Sequence, residues 1–547
     1  MSTPRIFIKS LMCNWVGYLA NAIVALLLSR YVVQKLGGEL YGVWGLIVST
    51  TGYLSLAELG TRGGIGRFVN YYIGKNREGM LSGVISSALG IFVSSAVVLF
   101  PAALILGFTF SSTFGIPERV SQATIVNAML LGTLNLWLGF LCSPFTQLIT
   151  ARHRFDIYNA INLLAVGVRA FGTMIALSRG GGLVSLAAVQ VASSAMALIL
   201  SFLISRELHP TLEIRPKHIS RIRLREMFGF SIWSFLSSTG SKLLHHTDIL
   251  VIGIMFANID SEHSASWWIP YYAFPVLLVT YSRELLSHVA NVLMPHAVQL
   301  CGADNKLALR EVLRWGGKFT MLIALPYYAA LALFGPRFLQ LFYDSVYQGD
   351  HPEMIDTSRR VLYLLIIPQV TLMAIRPGAS IINGLGHVRF GALMTLGQGV
   401  INLALSIALV GTFGMKLEGI AWGTLVPMVI CNVFICLFLL DKIQYRTLRY
   451  IRENALPFLS AAGVMLILMA LSSSLNIGQY ADAITQDPKW MPVVALLLDG
   501  AAFMLVALPA SWFFVFLPSE RVVAKDYIFL RNKIKEAEYE ESGARKL

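Results

Sequence analysis

Charge is scarce in this sequence: Asp, Glu, Lys and Arg make up 13% of 547 residues, against roughly 25% in a soluble domain. With 56% hydrophobic residues, that composition excludes a water-soluble globular chain. It fits many spans of about 20 residues. Cysteine is scarce as well. Cys13, Cys142, Cys301, Cys431 and Cys436 lie in or beside apolar stretches without CxxC spacing, so neither a metal framework nor a disulfide framework is indicated. No GxxxxGK[ST], HExxH or GxSxG motif occurs, which argues against an ATPase, a zinc hydrolase or a serine hydrolase of those types. Catalysis and cofactors are therefore not expected. No small-residue cleavage pattern follows the first apolar run, so it is expected to stay as a helix.

The apolar runs come next. They cover residues 11–33, 41–60, 81–108, 121–149, 157–178 and 183–205, then 228–257, 267–296, 317–343, 361–385, 391–413 and 418–440, and finally 456–475 and 491–517. Fourteen crossings put both termini on one side. The Lys and Arg residues agree: thirty fall on the side of the termini, nine on the other and four within spans. Basic residues resist translocation, so the richer side is expected to be cytoplasmic. The net charge of +13 then reflects topology, and no nucleic-acid partner is implied.

Residues 206–226 form a basic connector, carrying Arg215, Lys217, Arg221, Arg223 and Arg225. It divides the first twelve runs equally and is expected to be solvated beside anionic headgroups, with a docking role for a cytoplasmic partner as the alternative. Residues 150–177 and 384–410 resemble each other, each opening its span with a His, Arg and Phe cluster. The expected fold is an all-α polytopic membrane protein of about 14 transmembrane helices. Two pseudo-symmetric six-helix bundles (1–205 and 227–440) are joined by the connector and followed by two helices and a tail (441–547).

Charges inside spans are the informative residues, because each costs ~2.5 kcal/mol or more in hydrocarbon. The cations are Arg169, Lys242, Arg283 and Arg376; the acids are Glu58, Asp248 and Glu284, with Asp499 apart. His245 and His246 stand one turn from Lys242, so the seventh and eighth spans carry a polar stripe suited to an aqueous cavity. Structural pairing competes with a binding role: Lys242 with Asp248 or Glu284, and Arg283 with Glu58. Trp233, Trp267, Trp268, Tyr271, Tyr272 and Tyr281 offer sugar-stacking faces, although Trp267 and Trp268 suit an interfacial belt.

The stretch from Leu36 to Arg67, LGGELYGVWGLIVSTTGYLSLAELGTRGGIGR, ties these features together. Gly42, Gly45 and Gly52 suit close helix packing. Leu36, Gly37, Tyr41, Gly42, Trp44, Leu59 and Gly60 resemble the second-helix signature of the polysaccharide (O-antigen type) flippases. These belong to the multidrug/oligosaccharidyl-lipid/polysaccharide exporter superfamily. Asp248 followed by ILVIG resembles another pattern of that family. The resemblance implies two bundles alternating access, which flip an undecaprenyl pyrophosphate-linked oligosaccharide across a bacterial inner membrane. Arg283, Lys242, Arg169 and Arg376 would bind its phosphates, and Glu58, Asp248, Glu284, His245 and His246 would line the cavity or couple to H+ or Na+. A polymerase or glycosyltransferases of the pathway are candidate partners. The alternatives are a drug/cation antiporter of the superfamily, for which an acid-dominated cavity is expected, and a polytopic polymerase or ligase.

Overall fold

The computed structural model describes residues 4–74, 78–117, 119–152, 154–219, 221–258, 264–291, 306–344, 352–472 and 491–521. These residues are mostly helical, joined by turns and short extended stretches, with no strand among them. The long helices are α1 (Pro4–Leu36), α2 (Gly38–Leu54), α3 (Thr61–Gly74), α4 (Leu81–Phe114), α5 (Gln122–Ala151), α6 (Phe155–Ser178), α7 (Leu183–Leu208), α8 (Arg221–Met255) and α9 (Ala265–Asn291). There follow α10 (Lys306–Asp344), α11 (Pro352–Gly384), α12 (Val388–Gly411), α13 (Leu417–Lys442), the short α14 (Thr447–Tyr450), α15 (Leu456–Ser472) and α16 (Met491–Val515). Each apolar run of the sequence falls on one of these helices. Among the described residues eleven helical segments are long and apolar enough to cross a membrane; α1, α8 and α9 are not among them. In α8, Lys242, His245, His246 and Asp248 interrupt the apolar run.

Large apolar side chains point outward along these helices. On α4, Val97 is 76% exposed, and Val93, Ile105 and Phe108 share that exposure. In water such a face would be an aggregation hazard. In lipid it costs nothing, and helix association rests instead on close packing and hydrogen bonds.

The chain divides into two compact units. The first comprises residues 1–288, 339–368 and 386–431; the second comprises 289–338, 369–385 and 432–547. In the first unit, one core forms where α3, α4 and α5 meet, around Ile65, Val84, Ile85, Phe92, Phe140 and Leu148. In the second, Leu309, Leu313, Ile381, Leu439 and Ile443 form another.

Two regions differ from expectation. The connector after α7 is not simply solvated. His209 and Leu212 are buried, and Leu212 joins the α3–α4–α5 core. The backbone N–H groups of Glu213 and Arg215 donate to Ser82 Oγ (3.0 Å) and Ser86 Oγ (3.3 Å). Extended backbone beside a helix needs such acceptors, and the two serines, one turn apart on α4, supply them. Arg215 and Lys217 remain exposed. The second difference lies in the aromatics at the start of α9. Trp268, Tyr271 and Tyr272 are buried, so they are core residues rather than an outer belt or sugar platforms. Tyr271 packs on Tyr343, with ring centroids 5.1 Å apart.

Candidate functional site

The polar stripe is built on α2, α8 and α9 of the first unit. Glycine sets their spacing. A side chain on Gly42 would collide with the Ser266 carbonyl, and a Cβ on Gly52 would stand 2.9 Å from the His246 ring. On α8, Gly240 lies against the Thr395–Leu396 backbone of α12, with no space for a Cβ. These contacts let backbones approach as small residues do in membrane bundles. The α2 stretch ends in a 3-10 turn, Ser55–Glu58, and then in a left-handed pair, Leu59 (φ 51°) and Gly60 (φ 69°). The Leu-Gly of the signature is thus the reversal that presents Glu58. Left-handed backbone explains the glycine.

Within this frame Arg283 meets two groups. Its Nη1 lies 2.9 Å from His245 Nε2, and its Nη2 lies 3.2 Å from Glu284 Oε1. Lys242 Nζ lies 3.4 Å from His246 Nε2, one turn along α8. Glu58 pairs with Arg62 at 3.0 Å, and Tyr53 Oη bonds Thr247 Oγ1. Among the described residues none of the anticipated pairs, Arg283 with Glu58 or Lys242 with Asp248 or Glu284, is formed. The Arg283 side chain is 15% exposed, whereas Glu284 is 47% exposed. His245 is exposed, and Lys242 and His246 are half-buried. A neutral histidine acceptor orients a cation without bringing a compensating negative charge.

Asp248 belongs to a second arrangement. It is 6% exposed and accepts from Tyr272 Oη at 2.6 Å and from Thr424 Oγ1 at 3.1 Å on the same oxygen. Asn402 Nδ2 donates to Thr424 Oγ1 at 2.9 Å. The other carboxylate oxygen is buried without a hydrogen-bond partner among the described residues. The sequence offers Tyr272 only as a sugar-stacking face; Asn402 and Thr424 go unnoticed there because they are neither charged, histidine nor aromatic. An Asn or Thr inside an apolar run is the signal that would have found them.

The remaining candidates are separate. Arg169, in α6, is half-buried. Arg376 is half-buried in α11 and belongs to the second unit. Asp499 is not isolated: Arg337 Nη1 reaches its Oδ2 at 3.1 Å.

Comparison with known proteins fits this architecture. The family model described as "Polysaccharide biosynthesis protein" matches residues 41–350. The uncharacterized membrane protein EpsK of Bacillus subtilis (strain 168) is 21% identical over 500 residues, covering 90% of this chain and 94% of EpsK. An inward-facing multidrug resistance MATE family transporter of the MOP superfamily superposes with TM-score 0.64 at 14% identity, over 80% of this chain and 98% of that one. The lipid II flippase MurJ, in an inward closed conformation, gives TM-score 0.62 at 13% identity, over 91% and 98%. At such identities the likeness is one of fold.

Proposed function

From the membership of this chain in the polysaccharide biosynthesis protein family, and from its likeness in fold to a MATE transporter and to the flippase MurJ, we propose that it is a transporter and not a catalyst, with the following cargo and direction. It flips a lipid-linked oligosaccharide, of the undecaprenyl pyrophosphate type, from the cytoplasmic to the periplasmic leaflet of a bacterial inner membrane. Two six-helix bundles, residues 1–205 and 227–440, alternate access. Both termini are cytoplasmic, as the thirty-to-nine distribution of Lys and Arg supports.

The observation that carries this reading is the cationic cluster of Lys242 and Arg283, each oriented by a histidine. A pyrophosphate brings several acceptor oxygens, and an arginine fork meets two at once. Arg169 and Arg376 extend the set of cations for headgroup and glycan passage. Asp248 is the coupling carboxylate, binding H+ or Na+ at its unpartnered oxygen, with Tyr272, Asn402 and Thr424 holding it in place. Asp248 and the Arg283 cluster thereby divide the work of driving transport and binding cargo.

The test pairs protein abundance with surface glycan in cells carrying Arg283→Ala, Arg283→Lys, Glu284→Ala and the Arg283/Glu284 double alanine variant. Expected is near-complete glycan loss in Arg283→Ala at normal abundance, with a partial loss in Arg283→Lys. Normal glycan from Arg283→Ala removes this residue from the site. Low abundance restored by the double change reduces it to a structural partner of Glu284.

A further inference from the structure

The second unit contains a polar cluster that the transport reading does not use. Leu307, Ala308, Arg310 and Glu311, in the first turns of α10, face Tyr445 and Arg449 across a cavity of about 360 Å³. The backbone here is unusual twice over. Gln444 is left-handed at φ 54°, a conformation that costs a non-glycine residue energy and that clusters at ligand sites. Residues Ile451–Ala455 form a π-helical turn, which also recurs at functional positions.

The effect of both is to aim two guanidinium groups. The turn at Gln444 directs the Ile443 carbonyl to Arg310 Nε at 2.9 Å. The π turn presents Glu453, whose Oε1 lies 2.7 Å from Arg449 Nε. Both arginines are thus anchored through Nε, and no partner is recorded for their terminal nitrogens among the described residues. That edge is the one suited to a phosphate. The nearby carboxylates are already engaged. Glu311 accepts from Arg314 and from the Trp315 indole, Glu453 accepts from Arg449 and Tyr445, and Glu520 holds Arg314 and Lys318. The Tyr445 phenol stays protonated as a donor, because burial, followed by its bond to Glu453, raises its pKa.

Exposed apolar side chains accompany this cavity: Leu307, which lines it, is 70% exposed, and Leu448, the residue before Arg449, is 80% exposed. A free anion has no use for such side chains, whereas a phosphate with acyl chains does. We infer that Arg310 and Arg449 form a binding site for the phosphate headgroup of a membrane lipid, with Leu307 and Leu448 flanking its chains. The site does not depend on what the protein transports, and it engages neither Lys242 nor Arg283.

The experiment uses the full-length protein in detergent, with dihexanoyl phosphatidic acid and inorganic phosphate as separate probes. Binding is read by isothermal titration and by the shift in thermal unfolding. The short-chain lipid is expected to bind and raise the melting temperature. Arg310→Gln and Arg449→Gln should each weaken it at least tenfold, Leu448→Gln should weaken it severalfold, and Arg206→Gln should leave it unchanged. Inorganic phosphate should bind far more weakly. Unchanged lipid affinity in the Arg310/Arg449 double variant overturns the site. Equal affinity for inorganic phosphate overturns its assignment to lipid. Should Arg310→Gln fail to fold, Arg449→Gln alone decides, since that side chain is 61% exposed.

Discussion

Asp248 is an acid among neutral polar groups, buried and without a cation partner among the described residues. Asn at this position keeps an oxygen for Tyr272 and Thr424 while removing the charge. Asp248→Asn should therefore fold, with a melting temperature within a few degrees of the parent. In proteoliposomes it should lose the stimulation of transport by an imposed H+ or Na+ gradient, and undiminished stimulation would dismiss Asp248 as the coupling group. The sequence pointed to Asp248, Lys242, Arg283 and both histidines because ionisable residues in apolar runs are costly and conspicuous. It did not give their pairing. Arg283 meets Glu284 and His245 instead of Glu58 because side-chain rotamers and helix rotation, rather than spacing, decide which neighbours touch.

Among the elements, α10 and α16 show what periodicity could and could not reveal. They are tied twice. Arg337 pairs with Asp499, and nineteen residues earlier on α10 the buried Lys318 pairs with Glu520 just after α16. At 1.5 Å per residue the two ties stand roughly 28 Å apart, about one hydrocarbon thickness. Lys318 is wholly buried, so removing its partner strands a charge. Glu520→Gln should cost about 3 kcal/mol or more, read as a lower melting temperature of the purified protein. Lys318→Met in the same chain should recover most of that loss, and a Glu520→Gln protein as stable as the parent would refute the tie. The sequence placed α10 and α16 correctly by their apolar runs. It does not single out Lys318 or Glu520, which stand at the edges of the runs 317–343 and 491–517, because hydropathy cannot tell a solvated charge at the edge of a run from a paired one. The glycines of α2 were legible for the opposite reason. Close packing leaves a compositional trace in Gly42 and Gly52, and the structure places backbone and imidazole against them.

At the scale of the whole molecule, the succession of apolar runs was sufficient for the helical plan, since lipid admits little else. Orientation follows from charge and can be checked by single-cysteine labelling in a cysteine-free background. An impermeant reagent applied to cells with a permeabilised outer membrane should label a cysteine at Asp350, which lies outside the described residues, but not one at Arg221. The reverse pattern would invert the protein in the membrane.

The docked connector has a consequence for how the protein can be made. Its anchors, Ser82, Ser86 and the pocket around Leu212, all belong to the segment that precedes it, and α8 begins at Arg221, two residues after Ile219. A ribosome that has finished residue 219 has therefore already produced the groups that hold Leu212, Glu213 and Arg215 in place. The first six apolar runs can close the edge that carries the connector before the seventh leaves the exit tunnel. A gene cut between codons 219 and 221 and expressed as two open reading frames should accordingly give two polypeptides that assemble in the membrane, whereas a cut before Leu212 would strip the first fragment of its own clasp.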